Sequence, residues 1–218
     1  MKEKILKALT FNTLAYDSVK ARFERGMSEM DIKEIILSAC ADADDFSGDI
    51  VGGLRTSQIE GDATDYILKD GDCLILDLQF KSEGVWSDTT RTFFIGEPSE
   101  GVKKAYDLCI LAKKAGENVL KSGVSADAVY NAVRKAFSPF EGNFPHHAGH
   151  LFGLERVMQP QFLPERNEQL WVNDFVTLEP GIYFEDRFGI RVEDNYMITE
   201  NGIQKLFDYP LRLEDNII

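Results

Sequence analysis

The sequence is poor in basic residues and contains no long apolar run. Of its 218 residues, 24 are Lys or Arg and 37 are Asp or Glu, which gives a formal net charge of −13 at pH 7. This charge argues against a broad basic surface, so we expect neither nucleic acid nor an anionic membrane as a partner. No stretch of about 18 consecutive apolar residues occurs, and a membrane-spanning helix is therefore not predicted.

Cysteine is also scarce. Cys40, Cys73 and Cys109 are widely spaced and form no CxxC pair, a pattern typical of buried thiols in a reducing compartment. The first residues are charged and lack the apolar core and cleavage site of a signal peptide. These features predict a cytoplasmic protein.

Apolar residues are abundant enough for one sizeable core. They make up 44% of the chain, which excludes a disordered protein. No linker rich in Pro, Gly or Ser divides the sequence, so we expect a single domain over residues 1–218.

Helical and β-rich segments alternate twice along the chain. Residues 1–25 and 28–42 have apolar positions at helical spacing, and Ser28 is the predicted N-cap of the second segment. A helical pattern over 100–120 is followed by a second amphipathic helix that opens within residues 122–127, again with Ser as the candidate cap, and this repeats the arrangement. Each helical pair precedes β-rich sequence, which predicts an α+β domain with a pseudo-two-fold internal duplication.

One pair of acidic residues lies in the first β-rich segment. A hairpin over residues 73–95, centred between Ser82 and Glu83, places Asp77 directly opposite Asp88. The residues before Asp77 are apolar, so the strand is predicted to be buried.

The second β-rich segment repeats this pattern. Strands at 175–179 and 189–193, joined by a turn around Asp186, place Glu179 opposite Glu193. Like charges opposed across strands destabilise a sheet unless a cation, a proton or a basic partner compensates. A single such acid is commonly a half-exposed residue paired with Lys or Arg, but four in this pattern favour a metal site.

All three histidines lie close together, at His146, His147 and His150. An imidazole beside four carboxylates completes a ligand set suited to Mn, Fe, Co or Zn, with two ions about 3.5–4 Å apart. Without the carboxylates, a histidine cluster in a loop with Pro and Gly is more typical of a polar surface.

Four short motifs occur in order along the chain. They are Asp77 with Ser87-Asp88-Thr89-Thr90-Arg91-Thr92, then His146-His147-Ala148-Gly149-His150, Glu179-Pro180-Gly181-Ile182-Tyr183 and Gly189-Ile190-Arg191-Val192-Glu193-Asp194. In these motifs the chain resembles, over nearly its whole length, the catalytic domain of methionine aminopeptidases, prolidases and X-Pro aminopeptidases, the pita-bread metallopeptidases. The resemblance implies the pita-bread (creatinase/aminopeptidase) fold, without the N-terminal domain of creatinases.

The resemblance implies a dinuclear metal-dependent hydrolase. Such an enzyme, an aminopeptidase or X-Pro dipeptidase, cleaves a short peptide by attack of a hydroxide held between two divalent ions, here Mn, Co, Fe or Zn. By the family pattern, His150 and Glu179 bind one ion, Asp77 binds the other, and Asp88 and Glu193 bridge them. The resemblance also implies a homodimer.

Catalytic and substrate-binding candidates follow from the same motifs. Glu179 takes the proton of the attacking water, and His146 is the second candidate catalytic residue. The candidate substrate-binding residues are Glu60, Arg91, Arg191 and Tyr183. For the two arginines, an alternative is that they hold the metal-binding acids in place.

Two histidines of the family pattern are replaced, one by Glu60, 17 residues before Asp77, and the other by Val157, seven after His150. In the family these imidazoles are thought to position the substrate and stabilise the tetrahedral intermediate, and losing such a donor costs about 10²–10³ in rate. Two alternatives therefore stay open. One is a catalytically impaired pita-bread binding module, and the other is a hydrolase of a non-peptide C–N bond with Glu60 as a recognition acid.

Overall fold

A computed structural model describes all 218 residues, and its elements follow the twice-repeated order predicted from the sequence. The helices are α1 (Lys2–Arg22), α2 (Glu29–Ala39), α3 (Glu100–Val119) and α4 (Ala126–Ala136). The strands are β1 (Asp45–Gly52), β2 (Cys73–Ser82), β3 (Val85–Trp86), β4 (Thr89–Phe94), β5 (His150–Leu151), β6 (Met158–Gln161), β7 (Phe175–Leu178), β8 (Gly181–Phe184), β9 (Phe188–Arg191), β10 (Asp194–Thr199) and β11 (Gly202–Lys205). Short 3₁₀ helices lie at Gly53–Gln58, Glu141–Asn143 and Leu213–Asn216. The α+β prediction is confirmed.

Serine caps begin the second helix of each half, as predicted. The Ser28 hydroxyl accepts a hydrogen bond from the Asp31 amide, and the Asp31 carboxylate accepts one from the Ser28 amide, which completes a capping box. Ser125 accepts from the amide of Ala128 at the start of α4. The first helix is shorter than predicted and ends at Arg22, because Phe23 is extended.

The strands form two larger sheets and a small ribbon. In the first sheet, β2 pairs with β1 along one edge and with β3 and β4 along the other. The second sheet has the order β11-β10-β7-β5-β6, and β8 pairs with β9. Two hydrophobic clusters of 22 and 24 buried residues, each drawn mainly from one half of the chain, agree with an internal duplication. None of the helices combines the length and apolar character needed to cross a bilayer.

The turn of the first hairpin is centred one residue later than predicted, between Glu83 and Gly84. Glu83 and Gly84 form the turn with φ of 51° and 78°, a two-residue turn that suits glycine. As a result Asp77 lies opposite Thr90. The prediction that Asp77 directly opposes Asp88 is therefore wrong, and Asp88 lies between β3 and β4.

Glu179 and Glu193 lie at the junction of two strand ladders. The ladder of β7 with β10 ends at the pair Leu178 and Asp194, and the ladder of β8 with β9 continues in the same register. This shared register places the two glutamates opposite each other, as predicted, although neither belongs to a strand. Their backbone amides bond other segments instead, the Glu179 amide donating to the Ala148 carbonyl and the Glu193 amide to the Thr90 carbonyl, both at 3.0 Å.

Candidate metal centre

Side chains from both halves of the chain converge on a cavity of about 120 Å³. Its walls consist almost entirely of polar and charged groups, which distinguishes it from an apolar ligand pocket. The lining residues are Asp49, Ile59, Glu60, Asp77, Gln79, Asp88, His146, His147, His150, Val157, Glu179 and Arg191.

A buried cluster forms the inner end of this cavity. The ligand atoms of Asp88, His150 and Glu193 lie within 4.8 Å of one another. His150 Nε2 is 3.4 Å from Asp88 Oδ2 and 3.4 Å from Glu179 Oε1. Glu179 Oε1 is also 3.3 Å from His147 Nδ1. The structure therefore brings four of the five predicted metal ligands together.

The fifth predicted ligand, Asp77, lines the same cavity and is held by Arg191. Its Oδ2 accepts hydrogen bonds from Arg191 Nη2 at 2.8 Å and Nε at 3.2 Å. Across the sheet, Asp77 directly opposes Asp49, a residue that the sequence analysis did not identify. Burial and the charge of Asp77 raise the pKa of Asp49 to about 6.

Several buried carboxylate oxygens at the centre have no hydrogen-bond partner. They are Asp77 Oδ1, Asp88 Oδ1 and Oδ2, and Glu193 Oε1. Such oxygens cost free energy unless a proton or a cation satisfies them. Carboxylate and imidazole donors together suit first-row divalent ions, so the residues present fit a divalent metal.

Without a metal, the cluster retains protons. Burial raises the pKa of Asp88 to about 7. Burial, followed by the charge of Asp88, raises the pKa of Glu193 well above its ordinary value. Burial favours the neutral ring of His150, but the neighbouring Asp88 and Glu179 outweigh it and raise the pKa of His150 to about 9. Protons and a metal ion are therefore expected to compete for these groups.

The backbone around His150 fixes the orientation of its ring. Nδ1 is 2.8 Å from the carbonyl oxygen of Leu151, which only accepts, so Nδ1 carries the proton and Nε2 faces the carboxylates. Thr177 Oγ1 accepts from the His150 amide at 3.2 Å and donates to Glu179 Oε1 at 3.0 Å. Gly149 has φ of 156°, and a Cβ there would lie 2.2 Å from the Thr177 carbonyl oxygen.

His146 belongs to a second hydrogen-bonded chain at the cavity wall. Its Nδ1 donates to the His147 carbonyl at 2.7 Å, and its Nε2 accepts from the Tyr183 hydroxyl at 2.9 Å. Arg191 Nη1 donates to the same hydroxyl at 2.8 Å. Burial lowers the pKa of His146 to about 4, so the ring is neutral. Tyr183 and Arg191, both predicted to bind substrate, are thus engaged with protein groups.

Arg91 does not reach the cavity. It is fully buried, and its Nη2 donates to Asp194 Oδ1 at 2.7 Å while its Nη1 donates to the Glu193 carbonyl at 2.7 Å. The prediction that Arg91 contacts substrate is therefore wrong. The contacts favour the alternative, in which Arg91 supports the segment that carries Glu193.

Glu60 and Val157, which replace the two family histidines, lie at the mouth of the cavity. Glu60 follows the 3₁₀ helix Gly53–Gln58 and is exposed. Val157 is 45% exposed and has no polar side-chain atom to offer a substrate. The mouth therefore has one carboxylate and no imidazole at these two positions.

Two polar contacts at the centre were not anticipated. Thr90 Oγ1 donates to Glu193 Oε2 at 2.8 Å, and Asn195 Nδ2 donates to the Asp88 carbonyl at 2.5 Å. Thr90 lies two residues after the predicted ligand Asp88, and Asn195 lies two residues after Glu193. This closeness in sequence to a predicted metal ligand could have identified both as supporting residues. His147 lies within the histidine motif, so its position in the sequence could likewise have indicated its contact with Glu179.

Comparisons with known sequences agree with this arrangement. The sequence model of metallopeptidase family M24 matches residues 3–200. The Xaa-Pro dipeptidase of Pyrococcus furiosus is 32% identical over 160 residues, which cover 72% of this chain and 46% of that protein. An uncharacterised peptidase of Bacillus subtilis is 31% identical over 208 residues, covering 91% of this chain and 58% of the relative. The chain thus spans about half the length of these curated relatives.

Solved structures share the fold. The X-Pro aminopeptidase of Thermotoga maritima superposes with a TM-score of 0.94 at 27% identity, covering 99% of this chain and 62% of that chain. The prolidase of Pyrococcus horikoshii superposes with a TM-score of 0.93 at 27% identity, covering 97% and 62%. The predicted pita-bread fold is confirmed.

Proposed function

This chain belongs to metallopeptidase family M24, and we propose that it is a metal-dependent peptidase acting on a short peptide at its N-terminal or X-Pro bond. The observation that carries the proposal is the set of buried, unpartnered carboxylate oxygens around the Nε2 atom of His150. The names of the relatives support the substrate class, since they include an Xaa-Pro dipeptidase and an X-Pro aminopeptidase.

We assign the metal ligands by the family pattern. His150 and Glu179 would hold one ion, Asp77 would hold a second, and Asp88 and Glu193 would be shared. Bound ions of this kind polarise the scissile carbonyl and lower the pKa of water. Their number, and their identity as Mn, Co, Fe or Zn, are part of the proposal. Asp77 Oδ1 has no partner and could contact an ion while Oδ2 keeps its hydrogen bonds to Arg191.

Glu179 is the proposed proton acceptor. Burial opposes its ionisation, but the adjacent His147 and His150 rings hold its pKa well below the usual range. The carboxylate is therefore ionised at neutral pH and takes the proton of the attacking water before passing it to the leaving amine. His146 has both ring nitrogens engaged, so we propose that it positions the cavity wall and does not transfer the proton.

Glu60 and Val157 favour a second candidate, a family member that binds peptides without cleaving them. A related alternative is hydrolysis of a C–N bond in a non-peptide substrate. Homodimerisation remains a proposal from family membership. The three free and buried cysteines support a reducing compartment such as the cytoplasm.

Hydrolysis distinguishes these functions. Mn²⁺-loaded protein is incubated with X-Pro dipeptides and short peptides, and the released amino acids are quantified for wild type and Glu179→Gln. We expect cleavage by wild type and a loss of at least about 10²-fold in the variant. Metal-loaded, folded protein that cleaves none of the peptides would favour the binding module or the non-peptide substrate.

A further inference from the structure

A second cavity of about 520 Å³ opens outward from the candidate metal centre. The two cavities share Asp49, Glu60, Asp77, Gln79 and Val157, so they form one continuous space. We call the larger cavity the outer cleft. The outer cleft therefore offers space for the rest of a peptide whose scissile bond would lie at the candidate metal centre.

The outer cleft is lined by acids. In addition to Asp49, Glu60 and Asp77, its wall includes Asp62 and Glu155. Because Asp77 belongs to the candidate metal centre, an extended peptide in this space would meet the other four carboxylates, which favour cationic groups and repel acidic ones.

One basic residue, Arg156, also lines the outer cleft. Its guanidinium donates hydrogen bonds to Ser47 Oγ and to Gln79 Oε1 and lies over the ring of Trp86. These partners are neutral, so Arg156 is held at the side wall and forms no ion pair with the acids of the cleft.

Glu60 is the acid at the junction of the two cavities, and its carboxylate forms no hydrogen bond or ion pair within the chain. The backbone on either side is nevertheless fixed. Arg191 Nη1 donates to the Ile59 carbonyl at 2.9 Å, and the Gly61 amide donates to Asp49 Oδ1 at 3.1 Å. A carboxylate on a fixed backbone, open to the cleft, is placed to pair with an incoming cation.

The opposed pair of Asp49 and Asp77 adds acidic charge at the same junction. The two residues face each other across β1 and β2, and Asp77 Oδ1 is buried without a partner. Arg191 is the cation between them, but its Nη2 is 2.8 Å from Asp77 and 3.7 Å from Asp49. Asp49 thus shares the charge of Arg191 with Asp77 and is the less closely paired of the two acids.

We propose that the outer cleft selects peptides with a Lys or Arg side chain near the cleaved bond, and that Glu60 determines this preference. The inference rests on the proposed function, because it assigns the cleft to the substrate of the candidate metal centre. The same carboxylates disfavour a peptide that presents an acidic side chain.

Binding tests this preference independently of turnover. The probes are the amides Lys-Pro-Lys and norleucine-Pro-norleucine, titrated calorimetrically into Mn²⁺-treated Glu179→Gln protein. We expect the lysine peptide to bind about fivefold to tenfold tighter, a difference typical of partly exposed ion pairs, and the preference to weaken with added salt. Adding Glu60→Gln should reduce the preference below twofold. Adding Glu34→Gln, the same charge change at an exposed position outside both cavities, should leave it intact.

Three results would overturn the inference: equal affinity for both peptides, a preference unchanged by Glu60→Gln, or binding of neither peptide. Turnover of the same peptides by wild type is measured separately. A retained lysine preference without any cleavage would contradict the proposed peptidase but support the selectivity of the cleft. Cleavage of both peptides, bound with equal affinity, would support the proposed peptidase and contradict the selectivity of the cleft.

Discussion

Arg191 donates two hydrogen bonds to Asp77 Oδ2, at 2.8 and 3.2 Å, and so pairs with one of the five proposed metal ligands. The pair is almost fully buried, and the guanidinium also contacts the Tyr183 hydroxyl and the Ile59 carbonyl. Arg191 therefore links the proposed metal ligand Asp77 to the wall that carries His146 and to the loop that carries Glu60. A metal ion and Arg191 are alternative sources of positive charge for Asp77.

Removing this guanidinium should destabilise the metal-free protein most. Arg191→Met leaves Asp77 and Asp49 without a cation, and breaking a buried pair in this way costs about 3–5 kcal/mol. We expect the loss to be smaller with Mn²⁺ present, because the ion compensates Asp77. Urea unfolding of wild type and variant, with Mn²⁺ and with EDTA, measures both values. An equal loss under both conditions would contradict the proposed role of Asp77.

Gly149 should tolerate no side chain. A Cβ at this position would lie 2.2 Å from the Thr177 carbonyl oxygen, so Gly149→Ala must displace the segment that orients His150. We expect a loss of about 1–3 kcal/mol in unfolding free energy, together with weaker metal binding. Gly142→Ala is the matched control, since nothing lies within 4 Å of its added Cβ. Similar effects of the two substitutions on the unfolding midpoint would refute this account of the loop.

The metal-free protein should lose stability as the pH rises from 7 to 9. The pKa of His150 is raised to about 9, so its stabilising charge is complete below the ordinary value of about 6.5 and is lost through 9. The pKa of Asp88 is raised from about 3.8 to about 7, so its proton costs stability mainly as pH rises from about 4 to 7, below this window. His146, with its pKa lowered to about 4, acts in the opposite direction, but only below about 6.5.

Thermal melts at pH 7, 8 and 9 in EDTA check this dependence. The midpoint should fall with pH, whereas in excess Mn²⁺ the fall should be reduced, because metal binding strengthens as the ligands lose protons. A midpoint that increases from pH 7 to 9 in EDTA would show that the buried cluster does not retain protons.

Local patterns in the sequence predicted the parts of the fold that depend on neighbouring residues. The Ser28 and Ser125 caps and the facing of Glu179 and Glu193 follow from short-range spacing, and the structure agrees. The first hairpin was placed one position away because Gly84 was not assigned to the centre of its turn. The residues of the turn therefore determine the register of this hairpin, the one strand register that was predicted wrongly.

The site residues that the sequence missed or misplaced depend on pairing between segments far apart in the chain. Asp49 lies opposite Asp77 because β1 pairs with β2, and the 20 residues between these strands give no register from spacing alone. Arg91 is a candidate substrate-binding residue in the sequence because a guanidinium can orient carboxylates. In the structure its side chain points away from the cavity towards Asp194, and strand alternation gives the face of a residue only once the strand is placed.

Metal binding by wild type and Asp88→Asn tests the central claim most directly. Chelator-treated protein is titrated calorimetrically with Mn²⁺, and the metal retained after gel filtration is quantified. We predict two bound ions per wild-type chain and a loss of both affinity and stoichiometry in Asp88→Asn, while Asp107→Asn, at an exposed position on α3, binds as wild type does. Wild-type protein that retains no divalent ion, or an Asp88→Asn variant with unchanged uptake, would contradict the account.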